Sequence, residues 1–226
     1  MLHERVSPNL SEFLRYLAAH PEAENSLPPL IELGRELSIG VAALREQLEV
    51  ARSLGLVEVK PRTGMRRKPY TFAPAVLKSL DYAIALNKDH FIAFADLRQH
   101  IETAYWHESV KLLTTQDHSA LQELVARAWK KLRGSPIEIP HPEHRELHLT
   151  IYSRLNNPFV TGLLQSYWDA YETVGLNFFT DYNYLTEVWN YHQQMVDSIC
   201  SNDVEAGFRA LSEHTDLIYQ LISSSQ

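Results

Sequence analysis

Apolar positions in the first 70 residues fall into short helical runs. Leu10, Phe13, Leu14 and Leu17 recur at helical spacing and predict a helix over about 7–20, with Ser11 or Ser7 as its cap. Pro28-Pro29 breaks the chain. A short helix with Leu30, Leu33 and Leu37 inward follows, then a tight turn at Ser38-Ile39-Gly40. The next helix, about 41–54, places Leu44, Leu48 and Ala51 inward and stops at Gly55. Leu56-Val57-Glu58-Val59-Lys60 alternates as a strand does. A glycine turn, Arg62-Thr63-Gly64, leads to a second extended piece expected at Tyr70-Thr71-Phe72.

That order, three helices and then a hairpin, is the order of a winged helix-turn-helix. Beyond a linker marked by Pro69 and Pro74 the pattern is helical throughout. A long helical segment is expected at about 76–113 and a second at about 117–132, ended by Gly134. Further helices are expected at about 142–155, 158–175, 181–200 and 204–223. The expected fold is mostly α. A winged helix-turn-helix over 1–72 precedes an antiparallel all-α bundle of about six helices over 73–226.

Composition narrows the classes. Of 226 residues, 45% are hydrophobic, which supports a packed core and argues against disorder. A single cysteine, Cys200, excludes a disulfide framework. No run of apolar residues is long enough to span a membrane, and the charged start MLHERVSPNL lacks a signal-peptide core, so a cytoplasmic location is expected. The net charge of −7 is unevenly spread: residues 1–70 carry +1 and residues 71–226 carry −8. Lys60, Arg62, Arg66, Arg67 and Lys68 form an acid-free basic run where the wing is expected. Such a run suits phosphate contact, or else a solvated loop.

Four histidines are the candidate chemistry. His144 and His148 stand i, i+4, so both rings leave one helix face. His192 and His214 flank the break Ser201-Asn202-Asp203, ten residues before Asn202 and eleven after Asp203. In a helical hairpin both lie roughly 15–16 Å from the turn and therefore level with each other. Imidazoles in that arrangement would close a metal site. His141 is near but on another face. His90, His100, His107 and His118 have no partner pattern.

Residues 27–65 resemble the GntR family of bacterial transcription regulators. The resemblance rests on Leu27-Pro28, Arg45-Glu46-Gln47-Leu48, Gly55-Leu56-Val57 and Thr63-Gly64, at the family's spacing without a gap. It implies a recognition helix with Arg45 reaching base edges. It also implies a wing, Lys60, Arg62, Thr63, Gly64, Arg66, Arg67 and Lys68, along the DNA backbone. Val41, Ala42 and Ala43 stand where the family has an arginine and polar contacts, which shifts readout toward Arg35, Arg45 and the wing. The helical half resembles the FadR subfamily's ligand domain through Arg98-x-x-x-Glu102, His144-x-x-x-His148, Asn157-Pro158 and the pair His192 and His214.

That second resemblance implies a divalent metal held by one Asp and three His, completed by a small organic acid. Here His144 stands in place of the Asp. Four neutral imidazoles favour zinc, nickel or cobalt over magnesium or calcium, and could also close a purely structural site. Arg98 is the candidate to hold the effector carboxylate; its alternative is an intrahelical pair with Glu102. Of the aromatics packed between 168 and 191, most are expected in the core and none is singled out for an effector pocket. The sequence therefore points to a homodimeric, non-enzymatic regulator of a double-stranded DNA operator, controlled by a small carboxylate at a metal. A metal-responsive regulator without organic effector is the alternative. A metal-dependent hydrolase is disfavoured, because Glu143, Glu146, Asp197 and Glu213 show no general-base spacing.

Overall fold

The computed structural model describes residues 9–20, 26–62, 64–176 and 181–224. The chain forms two compact units, parting between Lys78 and Ser79.

In the first unit, helix α1 (Glu12–Ala19) is capped by Ser11, whose hydroxyl accepts from Leu14 N at 3.3 Å. Strand β1 (Ser26–Leu27) precedes α2 (Leu30–Glu36) and α3 (Val41–Ser53), joined by a turn with Ser38 at φ 55°. A Schellman motif ends α3: Gly55 N donates to Arg52 O and Leu56 N to Ala51 O, with Gly55 at φ 72°. Strands β2 (Val57–Lys60) and β3 (Gly64–Arg67) then form the wing, and the antiparallel sheet runs in the order β1-β3-β2. Phe13, Leu33, Leu44 and Ala51 are fully buried at the centre of this unit.

Two strand expectations change. The return strand is Gly64–Arg67, and Tyr70-Thr71-Phe72 lies outside any strand. Lys60 pairs directly with Gly64, so the chain reverses within a tight turn instead of a long loop. Pro69, which has no N–H to donate, follows shortly after. β1 was not foreseen because two residues carry no readable period.

The second unit is an all-helical bundle. The expected single helix over 76–113 is two: α4 (Ala73–Leu86), which contains the boundary between the units, and α5 (Asp89–Leu112). Asn87 interrupts it, its side-chain oxygen accepting from Asp89 N at 3.0 Å in competition with the helical ladder. Next comes α6 (Thr115–Leu132), which begins at a capping box between Thr114 and Asp117. α7 (His141–Ile151) is shorter than expected: the chain leaves the helix at Tyr152, whose hydroxyl donates to Glu102 O at 2.9 Å. α8 (Pro158–Thr173) is capped by Asn157 and α9 (Tyr182–Cys200) by Asp181. α10 (Val204–Ser224) completes the bundle, so about six helices become seven among the described residues. The α9–α10 turn is a second Schellman motif, with Asn202 at φ 62° supplying the left-handed residue.

Trp106, Trp168 and Trp189 are the largest buried side chains, each at most 1% exposed. Trp106 Nε1 donates to Val204 O at 2.9 Å, and its ring lies so close to α10 that a Cβ on Gly207 would stand 2.6 Å from Cζ2. No helix among the described residues is long and apolar enough to cross a membrane. The Trp106 contact predicts that Gly207→Val destabilises the protein by about 1–3 kcal/mol through overpacking. Urea unfolding followed by circular dichroism measures it, and an unchanged midpoint would count against a close α5–α10 contact.

Candidate metal centre

The four sequence-selected histidines meet inside the bundle. α7 brings His144 and His148, α9 brings His192 and α10 brings His214, and one donor atom from each lies within 4.8 Å of the others. Ring centroids are separated by 4.4 Å for His192–His214, 4.6 Å for His144–His192 and 5.3 Å for His144–His148. His148 and His192 are fully buried and His214 nearly so, while His144 is half-buried at the edge. Tetrahedral zinc, with Zn–N of about 2.0–2.1 Å, spaces its nitrogens about 3.3 Å apart. The Nε2 atoms of His148 and His192 stand 3.1 Å apart.

A buried ion pair orients the first of these rings. Glu102, fully buried on α5, lies 2.9 Å from Arg98 Nη2, and its Oε1 lies 3.1 Å from His148 Nδ1. Arg98 Nη2 also comes within 2.9 Å of that Nδ1. Guanidinium can only donate and an ionised carboxylate can only accept. Nδ1 cannot serve both neighbours: as N–H it donates to Glu102, and as a lone pair it accepts from Arg98. The tautomer bonded to Glu102, with Arg98 held against the carboxylate as an ion pair, leaves the lone pair on Nε2, facing His192. Carboxylate–histidine pairs of this kind fix ring orientation at metal sites. Arg98 is closed in further by Tyr167 and Trp168, whose ring centroids lie 4.5 and 5.3 Å from its guanidinium carbon.

Electrostatics keep the rings neutral. Burial, followed by neighbouring imidazoles and Arg98, pushes His144, His192 and His214 well below the ordinary histidine value. Burial also lowers His148, with Glu102 pulling in the opposite direction. For Glu102 burial alone would raise the carboxyl, but Arg98 and His148 outweigh it and hold it below the usual range. His144 Nε2, His192 Nδ1 and His214 Nδ1 are buried without a hydrogen-bond partner. Each orphaned nitrogen costs about 1–3 kcal/mol. Neutral, desolvated imidazoles with unused nitrogens are a donor set that a divalent transition metal fits.

The other candidates fall elsewhere. A cavity of about 20 Å³ adjoins His144, walled by Pro140, His141, Tyr171, Tyr184 and Trp189. His141 Nε2 is 2.9 Å from Glu172, and Glu143 is engaged by Lys131 at 2.8 Å. Arg35 and Arg45 are exposed on α2 and α3, and Lys60, Arg62, Gly64, Arg66 and Lys68 are exposed around the wing. Arg67 differs: it shares the inward face of β3 with Met65 and is half-buried. Thr63, the alternative cap Ser7, and two of the dense aromatics, Phe178 and Phe179, lie outside the described residues. Sequence reasoning missed Glu102 as the partner of His148. The signal available was that Arg98 and Glu102 occupy a helix face continuous with the apolar Phe91 and Ala95.

Comparison with known proteins places this geometry in a family. An FCD domain matches residues 93–217, more than half of the chain and all four histidines. The uncharacterised HTH-type transcriptional regulator YieP of Escherichia coli K12 is 25% identical over 209 residues, covering 87% of this chain and 85% of that protein. Two solved structures share the fold. GntR of Streptococcus agalactiae has a TM-score of 0.65 at 15% identity, over 92% of this chain and 95% of its own. McbR/YncC of E. coli has a TM-score of 0.53 at 18% identity, over 98% and 99%. YieP is named as a transcriptional regulator, and the chain belongs to the FCD domain family.

Proposed function

We propose that the bundle binds one divalent transition metal, zinc or nickel, through His144, His148, His192 and His214, and that a small carboxylate at the metal sets operator affinity. The observation that carries this reading is the convergence of four neutral imidazoles, three of them with an unpartnered buried nitrogen and the fourth, His148, aimed by Glu102. Bound there, the ion would supply a positive centre with no carboxylate among its ligands, and so would favour an anion. A carboxylate effector would approach from the His144 side, where the cavity lies. Arg98, paired with Glu102 and enclosed by aromatics, acts in this reading through His148 and not by gripping the effector itself.

The DNA-binding surface in this reading is α3, with the exposed Arg45 in its N-terminal half, supported by the exposed Arg35, Lys60, Arg62, Gly64, Arg66 and Lys68. In this reading the protein acts in the cytoplasm as a homodimer, each protomer on one half-site of a roughly palindromic operator. A second reading, in which the metal alone is the signal, is favoured by the size of the cavity. About 20 Å³ holds one or two waters, so any acid must be very small or must reshape the wall.

Metal analysis and DNA titration test these readings. The purified protein is expected to hold about one zinc or nickel per chain, and His148→Ala is expected to lose it; stoichiometric metal in that variant would refute the site. Two- to four-carbon acids added to the loaded protein are expected to shift operator affinity, whereas a response to metal alone would select the second reading. Arg45→Ala should weaken specific operator binding by about 1–3 kcal/mol, read by fluorescence anisotropy. For metal-free protein the pH dependence has a definite sign. The folded rings titrate below the ordinary 6.5, so the unfolded chain binds more protons below that pH. Melting temperature should therefore hold above about pH 6.5 and fall as the medium is acidified below it, and a flat profile from pH 7.5 to 5.5 would show that the rings are not buried neutral.

A further inference from the structure

The first unit contains a larger concavity, unrelated to the histidines. It has a volume of about 560 Å³ and lies between α1, the end of α3 and the chain leaving β3. Its walls are apolar, built from Leu10, Leu14, Leu17, Leu54, Leu56 and Phe72. That size lies within the range of small-molecule sites. One wall carries an unspent charge. Strand alternation turns Arg67 to the same face as buried Met65, and its Nε and Nη2 atoms are buried with no hydrogen-bond partner. Those two N–H groups form the edge with which arginine binds a carboxylate side-on through two parallel hydrogen bonds. Glu36, the acid felt by nearby Tyr16 together with Arg67, is exposed and forms no ion pair with the guanidinium.

A buried guanidinium edge without a partner is costly, and Arg67 is one of the residues that line the apolar groove. We infer that the groove binds an amphipathic monocarboxylate, its head drawn to the positive charge of Arg67 and its hydrocarbon chain along the leucines of α1. Lys68, also on the lining, adds positive charge near the head. The ligand would press directly on the wing, because β3 carries exposed Arg66 on its other face and pairs with β2, which carries Lys60. This is a second effector site, inside the DNA-binding unit and independent of any metal.

Decanoate is the probe, titrated into the full-length protein by calorimetry, with decanamide as its uncharged counterpart. Binding of one decanoate per chain is expected, with affinity rising up to roughly fourfold per methylene from octanoate to decanoate. Arg67→Ala is expected to weaken it about ten- to hundredfold, the range for a hydrogen bond to a charged group. Ala18→Trp fills the groove from an exposed position on α1 and is expected to abolish binding while leaving Arg67 and the melting temperature intact. Protein treated with a chelator is expected to bind decanoate as the untreated protein does. Absence of binding, equal affinity for decanamide, or loss of binding on chelation but not in Arg67→Ala would each overturn the inference.

Discussion

One carboxylate, that of Glu102, lies wholly inside the bundle, and much of the bundle is arranged to tolerate it. A buried charge without a partner costs about 3–5 kcal/mol. Arg98 answers it from one turn earlier on the same helix, and His148 answers it from α7. Tyr152 fastens its hydroxyl to the carbonyl of the same residue, so α5 and the end of α7 are joined by side chain and backbone at one place. His148 cannot turn without abandoning that carboxylate. Its outward nitrogen is thereby aimed at His192, and the hairpin of α9 and α10 delivers His214 beside it. A charge that must be neutralised thus becomes a device that orients an imidazole.

The histidine cluster was legible because helices have a fixed rise and a fixed angular period. Two residues i, i+4 and two equidistant from a turn must converge if the helices pack, whatever else surrounds them. The turn itself was legible because Asn tolerates the left-handed conformation that Asn202 adopts. What escaped were features with no local period. The break at Asn87 depends on one side chain outcompeting a backbone hydrogen bond, and the pattern of apolar residues runs straight through it. The strand β1 is only Ser26–Leu27, and it exists because β3 offers it an edge. The role of Glu102 depends on a residue 46 positions away. The wing strand was misplaced because the residues after the turn, Met65-Arg66-Arg67, are rich in charge and look unlike a strand until their pairing is known.

The two units handle polar groups in opposite ways. The bundle buries ionisable residues and pairs them among themselves, leaving three ring nitrogens, Arg98 Nε and Glu102 Oε2 without a hydrogen bond. The winged helix keeps its charges outside and buries leucine, phenylalanine and alanine, with Arg67 the exception. In each unit the unspent hydrogen-bonding capacity sits next to a cavity, and in each it is the property that a packed core alone does not require.

The inward turn of Arg67 also bears on ionic strength. DNA binding loses affinity with added salt in proportion to the phosphates neutralised, with a slope of about −0.9 per contact on a double-logarithmic plot. Counting cations along the wing gives five between Lys60 and Lys68. The fold leaves Lys60, Arg62, Arg66 and Lys68 exposed, and Lys60 already pairs with Glu58 at 3.0 Å. Each wing thus releases fewer counterions than its composition suggests. Its hold on DNA should be correspondingly less sensitive to changes in the salt content of the cell.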